Sequence, residues 1–296
     1  MTNNVQSGFN FPEVLREASQ LEKSDFTIGL VSMDDLIKSA IGVHPYAIAE
    51  TTKLKKSQQQ QVMEQAGEFD TPAEWYVSTL TDILVSAAKK VQGKPLRVRL
   101  SGADSHLRKS LFGSELEVTE VNPLIGLRGV SRFADKSHHS SFELECEVIK
   151  RVRSAEGMAN IELVIPFVRT CSEAATVIDL LAEQGLCRGA QGLKVNLMCE
   201  LPANALLAEK FLQYFDGMVV DIDQLGQFAL GLDQDHPMLN YLHDDQNEAV
   251  LQLIRQTLKA AEKSNKACDI VSHNIDHAPK LQKWLQDYGV KSVISQ

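Results

Sequence analysis

The sequence predicts a closed (β/α)8 barrel, an α/β fold, over residues 26–296. Short apolar runs typical of buried strands alternate with stretches in which apolar residues recur at helical spacing. Eight such strands in roughly 250 residues match the repeat of a closed barrel. A doubly wound open sheet is the alternative. No GxGxxG or P-loop pattern follows any predicted strand, which weakens the case for a nucleotide-binding fold.

The predicted strands are short, apolar and rich in β-branched residues. The first is Phe26–Met33, and the last lies at the end of the chain. The segment around Leu127–Gly129 completes the set of eight, although its sequence suits a turn as well as a strand. The other strands are predicted at Leu96–Leu100, Ile161–Val168, Gly192–Met198, Met218–Ile222, Cys268–Ser272 and Ser292–Ile294.

Helices are predicted between the strands. The clearest start signal is Thr71–Pro72, where threonine is the cap, proline takes the first helical position and Glu74 lies in the first turn. Residues 1–25 are polar and mixed and predict a helical lead-in, and a helical insertion is predicted over about residues 42–92. Later helices are predicted at Ser141–Arg153, Ser172–Gln184, Ala203–Tyr214, Asn247–Lys263 and Ala278–Tyr288.

The composition is that of a globular protein with a sizeable core, since 44% of the residues are hydrophobic and 23% are charged. The formal net charge of −9 argues against a nucleic-acid binder, which is normally basic. No apolar run approaches the roughly 20 residues that cross a bilayer, and the N-terminus lacks a signal-peptide pattern. Five scattered cysteines without a CxxC pair predict free thiols. We therefore expect a cytoplasmic protein without a membrane segment.

Polar and charged residues follow the predicted strands at their carboxyl ends, which meet at the mouth of a closed barrel, where ligands bind. Arginine matches phosphate or carboxylate groups bidentately, and carboxylates from adjacent strands offer the oxygen ligands that Mg²⁺ prefers. The pattern suits an anionic ligand, with or without a divalent metal. The alternative is that the arginines and acids neutralise each other in a salt-bridged rim. The residues predicted at the mouth are Ser32, Arg99, Arg128, Arg169, Glu200, Asp221, Asp223 and His273.

Several segments, in the same order and with similar spacing, resemble the C-terminal domain of phosphoenolpyruvate synthase. That domain is the PEP-utilising barrel shared with pyruvate phosphate dikinase and enzyme I of the phosphotransferase system. The resemblance runs from about Phe26 to Ser295. The segments that carry it are Ile41–Pro45 (IGVHP), Phe69–Val77 (FDTPAEWYV), Asn122–Arg132 (NPLIGLRGVSR), Ser141–Arg153 (SFELECEVIKRVR), Ile165–Thr170 (IPFVRT), Lys194–Asn204 (KVNLMCELPAN), Phe215–Gly217 (FDG) and Gln227–Asp235 (QFALGLDQD).

The resemblance implies a TIM barrel of the type that binds phosphoenolpyruvate or pyruvate with Mg²⁺. In the family, this barrel exchanges a phosphoryl group with a histidine on a separate swivelling domain. The present chain resembles the barrel alone, so we expect that it does not carry out the complete synthase reaction by itself.

At five positions, this chain has the same residue as the family. Arg99, in a stretch that resembles the family's Arg-Leu-Ser-Asp, would hold the phosphate. Arg128 matches the arginine of the family's Gly-x-Arg-Gly, and Glu200 matches the magnesium-binding glutamate of its Cys-Glu-Ile-Pro. Arg169 and Asn204 also match the family and are expected to bind substrate.

Five other positions depart from the family pattern. Ser32 replaces an arginine of the first family strand, and Gly102 replaces the aspartate after Arg-Leu-Ser. In Asp221–Gln227 (DIDQLGQ), Asp223 takes the place of an asparagine and Gln224 that of a metal-binding aspartate. In Asp269–His273 (DIVSH), Val271 replaces the proton-donating cysteine.

These departures predict weaker catalysis, because valine cannot protonate an enolate and glutamine is a weaker magnesium ligand than aspartate. We expect a weakened magnesium site in which Glu200, Asp221 and Asp223 are the candidate ligands. No catalytic residue is assigned with assurance. His273 is the candidate for a replacement acid, because histidine titrates near neutral pH.

Three functions follow as hypotheses. The first is a binding or regulatory module for an anionic metabolite of the phosphoenolpyruvate or pyruvate type, which forms a homodimer or associates with a full-length phosphoenolpyruvate synthase. The second is a magnesium-dependent enzyme with altered chemistry on phosphoenolpyruvate, pyruvate or a related 2-oxo acid. The third is a half-enzyme for phosphoryl transfer that uses a phosphohistidine domain on another chain.

Overall fold

The computed structural model describes residues 11–23, 25–155, 158–242, 244, 246–273, 275–290 and 292–296. Within this described part, eight parallel strands close into a barrel in chain order, so the predicted fold class is confirmed. The strands are β1 Glu13–Leu15, β2 Ile28–Ser32, β3 Leu96–Arg99, β4 Ile161–Ile165, β5 Val195–Cys199, β6 Gly217–Asp221, β7 Ala267–Ser272 and β8 Ile294–Ser295.

Helices surround the barrel, and none in the described part is both long and apolar enough to span a bilayer. The α-helices of this part are α1 Met33–Leu36, α2 Pro45–Ala49, α3 Lys56–Ala66, α4 Pro72–Lys90, α5 Val130–Ala134, α6 His139–Ala155, α7 Cys171–Glu183, α8 Pro202–Leu206, α9 Ala208–Phe211, α10 Ile222–Leu230, α11 Glu248–Lys263 and α12 Pro279–Asp287. Helix α1 continues into a π-helical turn at Ile37–Ile41, and 3-10 turns lie at Ala18–Glu22, Thr51–Lys53, Leu107–Ser110, Ser114–Leu116, Pro123–Ile125, Ala190–Gly192, Asn240–Leu242 and Ile275–His277.

The start signal at Thr71 is confirmed, because its side chain accepts a hydrogen bond from Glu74 N over 3.1 Å at the beginning of α4. Helix α10 was not predicted. It begins directly after β6, where the Asp221 side chain accepts from Gln224 N over 3.0 Å. The helix predicted at Ala203–Tyr214 is interrupted at Leu207, where φ is −113° and ψ is 25°, and forms the two short helices α8 and α9.

One strand was missed, and one segment predicted as a strand or a turn is not a strand. Glu13–Leu15 forms β1, so the helical lead-in predicted for residues 1–25 is interrupted there by a strand, and residues 1–10 of that lead-in lie outside the described residues. The three residues of β1 are too few to show an alternating pattern, and the strand is defined by its pairing with β2 and β8. Leu127–Gly129 is not a strand, because Gly129 has φ of +58° and leads directly into α5.

The core has two parts. A small cluster fills the barrel interior, and a larger cluster lies between the strands and the surrounding helices. The interior is therefore filled by apolar side chains, as is typical of barrels of this type. The interior cluster consists of Val14, Leu30, Val164, Met198, Val219, Val271 and Ile294.

Candidate functional site at the barrel mouth

The residues predicted for the site lie together at the carboxyl ends of the strands. Ser32, Arg99 and Asp221 are the last residues of β2, β3 and β6, while Glu200 and His273 directly follow β5 and β7. Alternation along each short strand directs its apolar side chains into the barrel or toward the helices. The polar residue at each strand end is thereby left at the mouth.

Arg99 is the least constrained cation of the mouth. Its Nη2 donates to Ser32 Oγ over 3.2 Å, while its buried Nε has no hydrogen-bond partner in the described structure. Burial opposes its positive charge, but nearby Asp34, Glu200 and Asp221 outweigh burial and raise the pKa of Arg99. None of these carboxylates forms an ion pair with Arg99 among the described residues. The side chain therefore remains charged and keeps N–H capacity for a ligand.

Arg128 is fixed by backbone carbonyls instead of acids. Its Nε donates to Gly102 O over 2.9 Å and its Nη1 to Leu124 O over 3.0 Å. The guanidinium lies 4.1 Å from the centre of the Phe167 ring, a cation–π geometry. A Cβ at Gly102 would lie 2.6 Å from Pro166 Cβ. The loss of the family's aspartate at residue 102 thus goes with close packing that leaves no room for a side chain.

The Arg169 guanidinium is also held by hydrogen bonds within the protein and by the Phe167 ring. Its Nη1 donates to Ser131 Oγ over 2.8 Å, its Nη2 donates to Gly126 O, and its guanidinium lies 4.6 Å from the centre of the Phe167 ring. Its ion pair, at 3.6 Å, is with Glu173 of α7. Carbonyls, a hydroxyl and an aromatic ring thus orient Arg128 and Arg169, and the ion pair with Glu173 is only one of the contacts that hold Arg169.

Glu200 faces the arginines and is almost fully buried. Its Oε2 accepts from Phe167 N over 2.7 Å. Burial raises the pKa of Glu200 to about 7, although Arg128 and Arg99 act in the opposite direction. Asn204 positions this acid, since its Oδ1 accepts from Leu201 N over 3.0 Å and its Nδ2 donates to Val168 O over 2.7 Å. Glu200 therefore changes charge near neutral pH beside the positively charged side chains of Arg128 and Arg99.

Asp221, Asp223 and His273 form a second group at the ends of β6 and β7. Asp223 Oδ2 accepts from the backbone N of His273 over 2.8 Å and from its ring Nδ1 over 2.9 Å. The hydrogen bond to Asp223 raises the pKa of His273, and the imidazole is 43% exposed. Burial and the like charge of Asp223 raise the pKa of Asp221. Gln296 Nε2 donates to Asp221 Oδ2 over 3.2 Å.

The carboxylates are only partly available for the magnesium site that the resemblance implies. Glu200, Asp221 and Asp223 each accept a hydrogen bond from a backbone N–H group, which engages one of the two oxygens of each side chain. Gln224 Oε1, at the position of the family's aspartate, accepts from Gln227 Nε2 over 3.3 Å. In the described part of the chain, no group of three or more histidine, cysteine or acidic side chains is arranged to hold a metal ion.

Val271 is a packing residue. It lies in the barrel interior and is fully buried beside the other apolar side chains of that cluster. The thiol of Cys199 on β5 does not replace the missing acid, because it contacts Thr257 of α11 and burial raises the pKa of Cys199 to about 12. Two titratable groups lie two residues from Val271: Asp269 forms an ion pair with Arg97 over 2.7 Å, whereas His273 follows the strand end at the mouth.

Two acids that sequence reasoning missed hold the loop after β3. Asp34 Oδ2 accepts from Gly102 N over 2.7 Å and from Ala103 N over 3.0 Å. Glu145 Oε2 accepts from Ser101 N over 2.9 Å, and burial raises the pKa of Glu145 to about 7. The position of Asp34, two residues after a strand end, was a usable signal. Glu145 lies within a predicted helix, and nothing local marks its role.

A closed β/α barrel whose strand ends carry oriented arginines beside a buried glutamate has the features of an anion-binding barrel. Comparison with known proteins identifies the family to which this barrel belongs. Residues 46–295 match the family described as PEP-utilising enzyme, PEP-binding domain, and the chain belongs to this family.

Curated relatives of the chain include phosphoenolpyruvate synthases. The chain is 40% identical over 267 residues to the enzyme of Escherichia coli (strain K12), 39% to that of Pseudomonas aeruginosa (strain UCBPP-PA14) and 37% to that of Neisseria meningitidis serogroup B (strain ATCC BAA-335 / MC58). Each alignment covers 90% of this chain and 34% of the relative. The chain therefore spans about a third of the length of the relatives it matches.

Proposed function

We propose that the barrel mouth binds a small carboxylate or phosphate anion of the phosphoenolpyruvate or pyruvate type, and that the chain acts as a binding or regulatory module. The observation that supports this most directly is Arg99. Arg99 is half-buried, its buried Nε has no hydrogen-bond partner, and it forms no ion pair among the described residues, so a bound anion would supply acceptors that the protein does not.

The geometry around Arg99 supports this binding function. Arg128 is held by Gly102 O and Leu124 O, so its orientation does not depend on ligand. Glu200 has a pKa of about 7, and in its neutral form it removes the charge that would repel an anion. Val271 offers no acid for the relatives' chemistry. Binding therefore has more support from these residues than turnover.

Isothermal titration calorimetry with phosphoenolpyruvate, pyruvate and oxalate, each with and without Mg²⁺, tests the proposal. We expect at least one anion to bind, and we expect Arg99→Ala to weaken binding by about 10- to 100-fold, the loss of one or two charge-assisted hydrogen bonds. Arg151→Ala is the matched control. It removes one arginine from a surface ion pair with Glu74 and should leave affinity unchanged.

Absence of binding heat for all three anions would contradict the proposal. Equal weakening by Arg99→Ala and Arg151→Ala would also contradict it, because the effect would then come from overall charge and not from the mouth.

A second candidate is acid–base chemistry on a 2-oxo acid, which the His273–Asp223 pair favours. The buried carboxylate bonds to Nδ1 and orients the half-exposed ring, so Nε2 can exchange a proton with a bound substrate. In the simplest such reaction, Nε2 removes a methyl proton from pyruvate, and solvent deuterium returns to the enolate carbon.

Nuclear magnetic resonance of pyruvate in D₂O, with and without Mg²⁺, measures this exchange. The candidate predicts enzyme-dependent loss of the methyl proton signal that disappears in His273→Gln, while pyruvate affinity is retained. Exchange at the rate of free pyruvate would rule out this chemistry and leave the binding function untouched.

A further inference from the structure

The outer wall of the barrel carries an open groove between helices α8–α9 and α11, with a volume of about 680 Å³. Its floor includes three buried small residues, Ala205, Ala208 and Ala260. Small side chains at facing positions leave the space between the helix rims unfilled. The groove is thus a built feature of the helix packing and is separate from the mouth.

The rim of the groove is apolar at its centre. Leu206 is 57% exposed and Leu207 is 42% exposed, where the chain turns from α8 into α9. This turn is held in place, since Gln256 Nε2 of α11 donates to Leu206 O over 3.1 Å. Leu253 of α11 also lines the groove and is half-buried. Three leucines thus face one concave surface and give an apolar partner a defined place to bind.

The groove is basic although the chain is acidic. Lys210, Arg255, Lys259 and Lys263 line it together with a single acid, Glu209, whereas the whole chain has a formal net charge of −9. Glu209 pairs with Lys263 over 2.8 Å. In the described structure, Lys210 and Lys259 have no ion-pair partner. The groove therefore concentrates positive charge beside exposed leucines.

This charge distribution disfavours a second copy of the chain as the occupant. A two-fold dimer places the same patch of each subunit against the other, so two patches of net positive charge would face each other. Opposing like charges cost affinity. A partner with acidic side chains avoids this repulsion, and its apolar side chains can contact the exposed leucines.

We propose that the groove binds an acidic amphipathic helix of another protein. Leucine-type side chains on one face of such a helix, spaced three or four residues apart, contact Leu206, Leu207 and Leu253. Its carboxylates pair with Lys210 and Lys259, which also accelerate encounter through long-range attraction.

Fluorescence anisotropy with a synthetic helical peptide tests this. The probe has leucine at every third or fourth position and glutamate elsewhere, and the comparison peptide has lysine in place of glutamate. The acidic peptide should bind at least about tenfold more tightly than the basic one, and Lys259→Glu should weaken its binding about tenfold. Lys56→Glu on α3 makes the same charge change outside the groove lining and should have little effect.

Leu206→Ser tests the apolar contact and should weaken binding of the acidic peptide. Because Leu206 is exposed, we expect the variant to fold, and thermal unfolding followed by circular dichroism checks this. Hydrogen exchange should show protection by the acidic peptide at residues 205–210 and 252–263. Equal binding of both peptides, insensitivity to Lys259→Glu, or protection confined to other segments would overturn the proposal. Self-association of the wild-type chain that Leu206→Ser abolishes would also overturn it, because a second copy would then cover the groove.

Discussion

The two sides of the barrel mouth use their charged residues differently. On the side of β3 and β4, Arg128 and Arg169 bond to carbonyl oxygens and a hydroxyl, and Arg99 keeps donor capacity. On the side of β5 to β7, the carboxylates of Glu200, Asp221 and Asp223 accept backbone N–H groups. The arginines are held in place and Arg99 still has free N–H donors, whereas the carboxylates use their oxygens in hydrogen bonds that hold the fold.

This difference follows from hydrogen-bonding capacity. A guanidinium has five N–H donors, so it can bond to the protein and to a ligand together. A carboxylate that caps a helix or fixes a loop gives up lone pairs that a metal needs. If the proposed anion binding is right, this difference predicts that recognition depends on the arginine side, that Glu200 modulates it through its charge, and that Asp221 and Asp223 contribute mainly to stability. Substitutions at Arg128, Asp221, Glu200 and His273 test this difference between the two sides.

Arg128→Ala should have the largest effect. It leaves Gly102 O and Leu124 O without their donor and removes the cation–π contact with Phe167. We expect the free energy of unfolding to fall by about 2–4 kcal/mol and anion binding to be lost. Urea denaturation and calorimetry measure the two effects. If the variant is as stable as wild type, the proposed rigidity of the arginine side is wrong.

Asp221→Ala should lower the free energy of unfolding by about 1–2 kcal/mol, because it removes the cap of α10. Anion affinity should change by no more than about twofold. Asp221→Asn is the control, since asparagine caps a helix nearly as well and should restore most of the stability. A large loss of affinity in Asp221→Ala without a loss of stability would break the comparison, because the acidic side would then take part in recognition.

Glu200→Gln should alter pH dependence. The folded pKa of about 7 exceeds the unfolded value of about 4.3. The stability linked to Glu200 is therefore fully present below the unfolded value and is lost as the pH rises through the folded pKa. Anion affinity should also fall several-fold over the upper part of this range as the acid ionises beside Arg99.

Oxalate is the suitable ligand for this measurement, because both of its carboxyl groups stay ionised between about pH 5.5 and pH 8.5. Glu200→Gln keeps an acceptor for Phe167 N and should flatten the profile of affinity against pH. A variant with the wild-type profile would assign the titration to another group.

His273→Gln should have the smallest effect. The bond to Asp223 raises the pKa of His273 above its ordinary value, so the stabilisation is fully present below the unfolded pKa and is lost as pH rises through the folded one. Because the imidazole is 43% exposed, solvent screening limits the stabilisation to a few tenths of a kcal/mol. Urea denaturation at about pH 5.5 and pH 8.5 should show a loss of stability that is smaller in the variant than in wild type by this amount, because Glu200 titrates in both proteins.

The sequence by itself determined most of the barrel. Periodicity located seven of the strands, the Thr71 cap located the start of α4, and the family motifs assigned the barrel type. The arginines were also found this way, because Arg99 ends a strand and Arg128 lies in a motif. These features are local, since burial and helix capping leave a pattern along a few consecutive residues.

Tertiary structure decided how the barrel closes and what the acids do. Strand β1 exists through pairing with both β2 and β8, and Ser295 N donates to Pro12 O across the whole length of the chain. Glu200 is engaged by Phe167 N and Asp223 by His273. The residue type alone does not show whether a carboxylate binds metal, caps a helix or holds a loop. Only the donor that approaches it through space, from a distant segment, selects among these roles.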